Sequence, residues 1–153
     1  MNEPLTDGWQ SNGKHLGRFE PPDIYHSLVR GDIDAPEVIR THERLLQYTR
    51  DAGVPLFWMV DVSEIGRVLP AASRVDNPEL DLRALLIVGA SFRQRVLVTL
   101  GVKAHRLLFR RLLSLPIEFF PNEAAARAWL ECERTKTTPH EAGVERASPH
   151  RTR

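Results

Sequence analysis

Val54-Pro55-Leu56-Phe57-Trp58-Met59-Val60-Asp61-Val62 is a nearly unbroken apolar run of strand length. A strand with one wet face alternates apolar and polar residues. A run without alternation predicts a strand buried on both faces, as at the centre of a mostly parallel sheet. Arg83 to Gly89 (RALLIVG) repeats the pattern, and Ile117-Glu118-Phe119-Phe120 is a shorter strand of the same kind. Parallel strands need long crossovers, and the intervening segments read as helices. Asp34 is placed to cap a helix start, Glu37 stands three residues on to complete a capping box, and Pro36 falls in the first turn, where no hydrogen bond is lost. Val38, Leu45, Leu46 and Tyr48 recur at roughly helical spacing up to Gly53, a stop. A loop with a short helix is expected around Pro70–Val75, a long helix from Ser91 to about Leu113, and a last helix from Asn122 to about Glu133.

Upstream, His15–Glu20 and Ile24–Arg30 flank Pro21-Pro22-Asp23 and read as a hairpin. The pattern ββαβαβαβα predicts an α/β sandwich: a mostly parallel sheet of four to five strands, an antiparallel N-terminal strand and flanking helices. Residues 1–13 read as a flexible leader, 14–134 as one domain, and 135–153, without apolar periodicity, as a disordered tail.

The 153 residues suit one domain, and 42% hydrophobic content can build its core. The net charge of +1 argues against a general polyanion binder. The single cysteine, Cys132, excludes an intramolecular disulfide and a cysteine-cluster zinc site. Neither a signal peptide nor an apolar stretch of about 18 residues is visible. A cytoplasmic setting is the expectation.

RFEPPDIYHSLVRGDI (18–33), WMVDVSEIG (58–66), IVGASFRQRVLVTL (87–100) and IEFFPNEAAARAWLE (117–131) resemble small bacterial STAS-like proteins across about residues 15–133. The resemblance implies the fold of anti-sigma-factor antagonists, which shares a general shape with CRAL-TRIO-type lipid-binding domains, and a regulatory, protein-interacting role. The family's antagonist motif, Asp-Leu-Ser-x-x-Asp-Ser-Ser-Gly, is matched at Asp61, Val62 and Ser63 in its opening only. Gly66, Arg67, Val68 and Leu69 stand where the second half belongs, so the phosphoacceptor serine is missing. Ser63 is the remaining phosphorylation candidate; its plainer role is to cap the loop together with Asp61.

No catalytic constellation emerges. The six histidines are scattered without metal-ligand spacing, and surface or strand-edge positions are expected for the four outside the tail. Asp32 and Asp34 resemble a metal-binding pair, but turn formation and capping explain them, so no metal site is assigned. Carboxylates beside Cys132 work against a reactive thiolate. Ser91, at a strand-to-helix turn, lacks the second glycine of a nucleophile elbow because Arg93 stands there. Ser91 reads as an N-cap or, with Arg93, as an anion-binding helix start.

The long helix is the most informative segment. From Ala84 to Ile117 there is no acid, while Arg93, Arg95, Lys103, Arg106, Arg110 and Arg111 contribute a charge of +6. At about 100° per residue, Arg95, Thr99, Lys103, Arg106 and Arg110 share a stripe about 80° wide. The remaining arc is apolar and wider than the stripe of roughly 100° that packs a helix on a sheet. A neighbouring helix or arginine stems can cover the excess. Otherwise Val98, Val102 and Phe109, bordered by Arg95, Lys103, Arg106 and Arg110, form a contact surface for a second subunit, a protein partner or a membrane face. Nucleic acid is disfavoured, for want of aromatic stacking platforms and a reading helix.

The expected function is a non-enzymatic STAS-like regulatory or protein-interaction module without a cofactor. The alternative is a domain that binds a small anionic or lipid-like ligand, with the apolar arc lining a pocket and Arg93 at the Ser91 helix start holding the acidic head.

Overall fold

The computed structural model describes residues 7–108 and 115–137, with side chains outside 101–114 and before 137. It contains β1 (Gln10–Asn12), β2 (His15–Glu20), β3 (Ile24–Ile33), α1 (Ala35–Ala52), β4 (Leu56–Val68), a 3-10 turn (Ala72–Arg74), β5 (Leu82–Val88), α2 (Phe92–Leu108), β6 (Ile117–Phe120) and α3 (Glu123–Thr137). The strands form one sheet in the order β1-β2-β3-β4-β5-β6. Pairing is antiparallel through β3 and parallel from β3 to β6. The α/β class with a mixed sheet is as the sequence pattern predicts, with six strands in place of four to five.

The additional strand comes from the expected leader. Asn12 and His15 pair across Gly13-Lys14, so β1 and β2 form a hairpin with a two-residue turn. Gly13 has φ +63, and a Cβ there would meet the Glu37 carboxylate at 2.2 Å, so both backbone and space require glycine. Trp9 packs its ring against His26, 5.1 Å between centroids, with the Arg18 guanidinium 4.5 Å from its centre. Residues 9–12 therefore belong to the domain.

α1 forms as its sequence dictates. The Glu37 N–H donates to Asp34 Oδ1 at 2.8 Å, the Asp34 N–H donates to Glu37 Oε2 at 3.0 Å, and Gly53 ends the helix in the left-handed region. β4 runs six residues past the expected Val62, because Glu64, Ile65 and Val68 keep pairing with Arg30, Gly31 and Ile33 of the long β3. α3 reaches Thr137, beyond the expected boundary, and is capped by Asn122, whose Oδ1 accepts from the Ala125 N–H at 2.9 Å.

The two sheet faces are covered differently. One face packs Phe57, Met59, Ala84, Leu86 and Val88 against Ala126 and Leu130 of α3, and Met59 and Leu86 are fully excluded from water. The other face carries α1, through Leu45 on Tyr25 and Leu56, and α2, through Val98 on Val60, Val62 and Ile87. Trp58 lies where these two clusters meet.

The hairpin is tied to α3 by a charged cluster. Glu20 accepts from Arg127 twice, at 2.8 and 3.0 Å, and from Arg18 at 2.8 Å. Its Oε1 also lies 3.3 Å from His26 Nδ1. Burial alone would raise the Glu20 carboxyl, but the hydrogen bonds and charges of Arg127 and Arg18 outweigh it and hold the pKa at about 2, against 4.5 ordinarily. A depressed carboxyl contributes stability that is complete above the ordinary value and fades as pH falls through the folded one. The urea midpoint is therefore expected to fall steadily between pH 4.5 and 2. Glu20→Gln should flatten that fall and cost about 1–3 kcal/mol at pH 7, measured by urea unfolding.

Candidate functional site

A parallel βαβ crossover ordinarily lays a helix over the strands it joins. The crossover from β4 to β5 holds only the 3-10 turn Ala72–Arg74. The face between α1 and α2 is left short of cover, and a cavity of about 320 Å³ lies there. Alternate residues make its floor, with Val60 and Val62 from β4 and Ile87 from β5. Val38 of α1 and Val98 of α2 contribute to its walls. Val68 at the end of β4 also lines it and is 51% exposed. The volume lies at the lower end of small-molecule sites, and the position between helices of an α/β sheet is a usual one.

The polar groups of the lining are already occupied. At one end His15 Nδ1 accepts from the Arg30 N–H at 3.1 Å, which places the ring proton on Nε2, and Nε2–H donates to Glu37 Oε2 at 3.0 Å. Burial alone would raise the Glu37 carboxyl. The Asp34 N–H and the His15 ring outweigh it and hold the group below the usual carboxylate range. Asn12 Nδ2 donates to the Glu37 carbonyl at 2.8 Å and to Thr41 Oγ1 at 2.9 Å, while Arg40 donates to Asn12 Oδ1. In the floor, Trp58 Nε1–H donates to Ser27 Oγ at 3.0 Å. What remains facing the space is almost entirely hydrocarbon. It can take an apolar body but has few unpaired groups with which to grip a charge.

The sequence candidates fall elsewhere. Ser63 lies within β4, not at a helix start, and its N–H and hydroxyl both donate to Asp61 Oδ1. Gly89 ends β5 at φ +73, and a Cβ there would stand 2.3 Å from Ser63 Oγ, so glycine allows the Asp61–Ser63 pair to sit against the turn into α2. Ser91 caps α2: its N–H donates to Gln94 Oε1 at 2.6 Å and its Oγ accepts from the Gln94 N–H at 3.3 Å. Arg93 is exposed, and neither it nor Ser91 lines the cavity. Arg95 Nε–H folds back to the Ala90 carbonyl at 3.1 Å. Val98, expected on a contact surface, faces the sheet instead. The side chains of Val102, Lys103 and Arg106, and all of Phe109 and Arg110, lie outside the described residues.

Two histidines for which surface or strand-edge positions are expected are buried, His15 at 7% and His26 at 2% exposure. Each lies on a hairpin strand against a carboxylate far along the chain or across the turn, Glu37 for His15 and Glu20 for His26. Asp32 accepts from the Arg67 N–H at 2.8 Å and from its guanidinium at 2.9 Å, so it ties β3 to the end of β4. Among the described residues no three His, Cys, Asp or Glu side chains converge as metal ligands, and no helix is long and apolar enough to cross a membrane.

No protein-family model matches the chain, and no curated protein matches its sequence.

The polar end of the cavity yields a stability contrast. Asp34→Ala removes one capping bond and should cost about 1 kcal/mol. Glu37→Ala keeps that bond, which its backbone N–H donates, but leaves His15 Nε2–H and the Asp34 N–H without an acceptor and should cost about 2–4 kcal/mol. Equal costs in urea unfolding would show that the His15–Glu37 contact does not hold the hairpin on α1.

Proposed function

We propose that this protein is a non-enzymatic STAS-like module that binds a small, predominantly apolar molecule between α1, α2 and the sheet. The observation that carries the reading is the cavity of about 320 Å³ itself, floored by Val60, Val62 and Ile87 and closed at one end by polar groups that already satisfy one another. A ligand there is recognised by shape and by loss of water from apolar surface, at roughly 25 cal/mol per Å² of apolar area buried. Any polar end of the ligand stays beside Val68, where water remains available.

This modifies the lipid-like alternative read from the sequence. The acidic head is not assigned to Arg93 and Ser91, because neither lines the cavity and Ser91 spends its hydroxyl on capping. Support for a non-catalytic role comes from His15, which commits both ring nitrogens to structure, and from Ser27, whose hydroxyl oxygen is engaged by Trp58. General base catalysis needs a nitrogen or carboxylate within reach of a substrate proton. The order of strands and helices supports the STAS-like assignment, with the departure that the phosphoacceptor position is lost and Ser63 lies inside a strand.

Filling the cavity tests the reading. The wild-type chain should bind the fluorescent apolar probe N-phenyl-1-naphthylamine at one site. Val62→Phe places a ring in the space, should leave the fold intact because the added atoms enter a void, and should weaken probe binding about tenfold or more. Phe92→Ser, on the outside of α2, should bind the probe as the wild type does. Equal binding by Val62→Phe and a second filling variant, Val29→Phe, would overturn the proposal.

A further inference from the structure

The outward side of α2 is apolar where a surface helix is ordinarily polar. Phe92 is 84% exposed, Leu97 59%, Leu100 58% and Val96 39%. At about 100° per residue, Phe92, Val96 and Leu100 follow one another in steps of about 40°, and Leu97 extends the ridge to a width of about 140°. Val98 lies on the opposite side and packs on the sheet, so the ridge is not the face that α2 uses to dock on its own domain.

The charge in this stretch of sequence has one sign. The chain from Ala84 to Ile117 contains no Asp or Glu, and it contains Arg93, Arg95, Lys103, Arg106, Arg110 and Arg111. Arg93 is exposed and falls on the helical wheel between Leu100 and Leu97, within the apolar ridge itself. An apolar ridge with arginine inside it, on an acid-free helix, complements a surface that is hydrocarbon beneath and anionic above. A second copy of the chain offers no such complement through the same face, since two basic helices without an acid would meet.

We propose that α2 docks this protein on an anionic lipid bilayer. Phe92, Val96, Leu97 and Leu100 enter the boundary between headgroups and acyl chains, and Arg93, exposed among them, meets the phosphates. The proposal stands on the outward face of α2 and does not depend on what occupies the cavity behind it.

Co-sedimentation of the full chain with extruded vesicles tests it. Vesicles of phosphatidylcholine and phosphatidylglycerol at 3:1 should bind the protein at least about tenfold more strongly than phosphatidylcholine alone, and 0.5 M NaCl should weaken that binding several-fold. The double substitution Phe92→Ser with Leu100→Ser should reduce partitioning about tenfold or more. It should leave thermal unfolding close to wild type, since both side chains already face water. Phe92→Ser alone, at the most exposed position, should show a smaller loss in the same direction. No binding to the anionic vesicles would overturn the proposal. So would binding indifferent to both apolar substitutions, or a dimer in solution that the double substitution dissolves, which would assign the ridge to a second copy.

Discussion

Strands paired on both sides within a parallel sheet must be shielded above and below, and a chain supplies that shield through its crossovers. Here the middle crossover, between β4 and β5, contains a single 3-10 turn. On the α3 side this has no consequence, because α3 covers β4 and β5 by itself and leaves Met59 and Leu86 with no exposure. On the opposite side α1 and α2 share the task, and each is anchored to its own part of the sheet: α1 to Tyr25 and Leu56, α2 to Val60, Val62 and Ile87. The cavity lies between those two anchorages, and Trp58 belongs to both. Close packing and open space therefore coexist on two sides of one sheet.

The polar interactions around this space hold its walls rather than face into it. Glu37 joins the start of α1 to His15 on the hairpin, and Asn12 and Arg40 extend the same tie. On the far side of the sheet Glu20 joins the hairpin to α3 through Arg127. The hairpin is thus fixed to a helix on each face, which positions α1, while α2, on its other flank, packs Val98 on the sheet among its described side chains. With Val98 inward and Phe92, Val96, Leu97 and Leu100 exposed, α2 is apolar on two sides over its described side chains.

Much of this architecture is readable from the chain because it rests on local signals. The Asp34–Glu37 capping box, the Gly53 stop and the strand Ile117–Phe120 are all specified by neighbours in sequence. What escaped reading depended on partners far away. β1 was hidden because its residues are polar, although a glycine such as Gly13 suits the first position of a two-residue hairpin turn. Its value comes from bonds to Glu37, Thr41 and Arg40 on α1. The extension of β4 through Ser63–Val68 reads as loop until β3 supplies its partner. The buried positions of His15 and His26 likewise follow from Glu37 and Glu20, and no spacing in the sequence announces those pairs. The cavity was the least legible feature, since Trp58, Val60 and Val62 look the same in sequence whether a helix lies over them or not.

Methyl-resolved NMR of the protein under xenon pressure examines that space directly, because xenon enters apolar cavities and shifts the methyl groups that line them. The expected result is saturable shifts at Val60, Val62, Val98 and Ile87, with Met59, Leu86 and Leu130 on the α3 face unmoved. Uniform small shifts on both faces, or shifts strongest at Met59 and Leu86, would contradict the assignment of an open apolar site between α1 and α2.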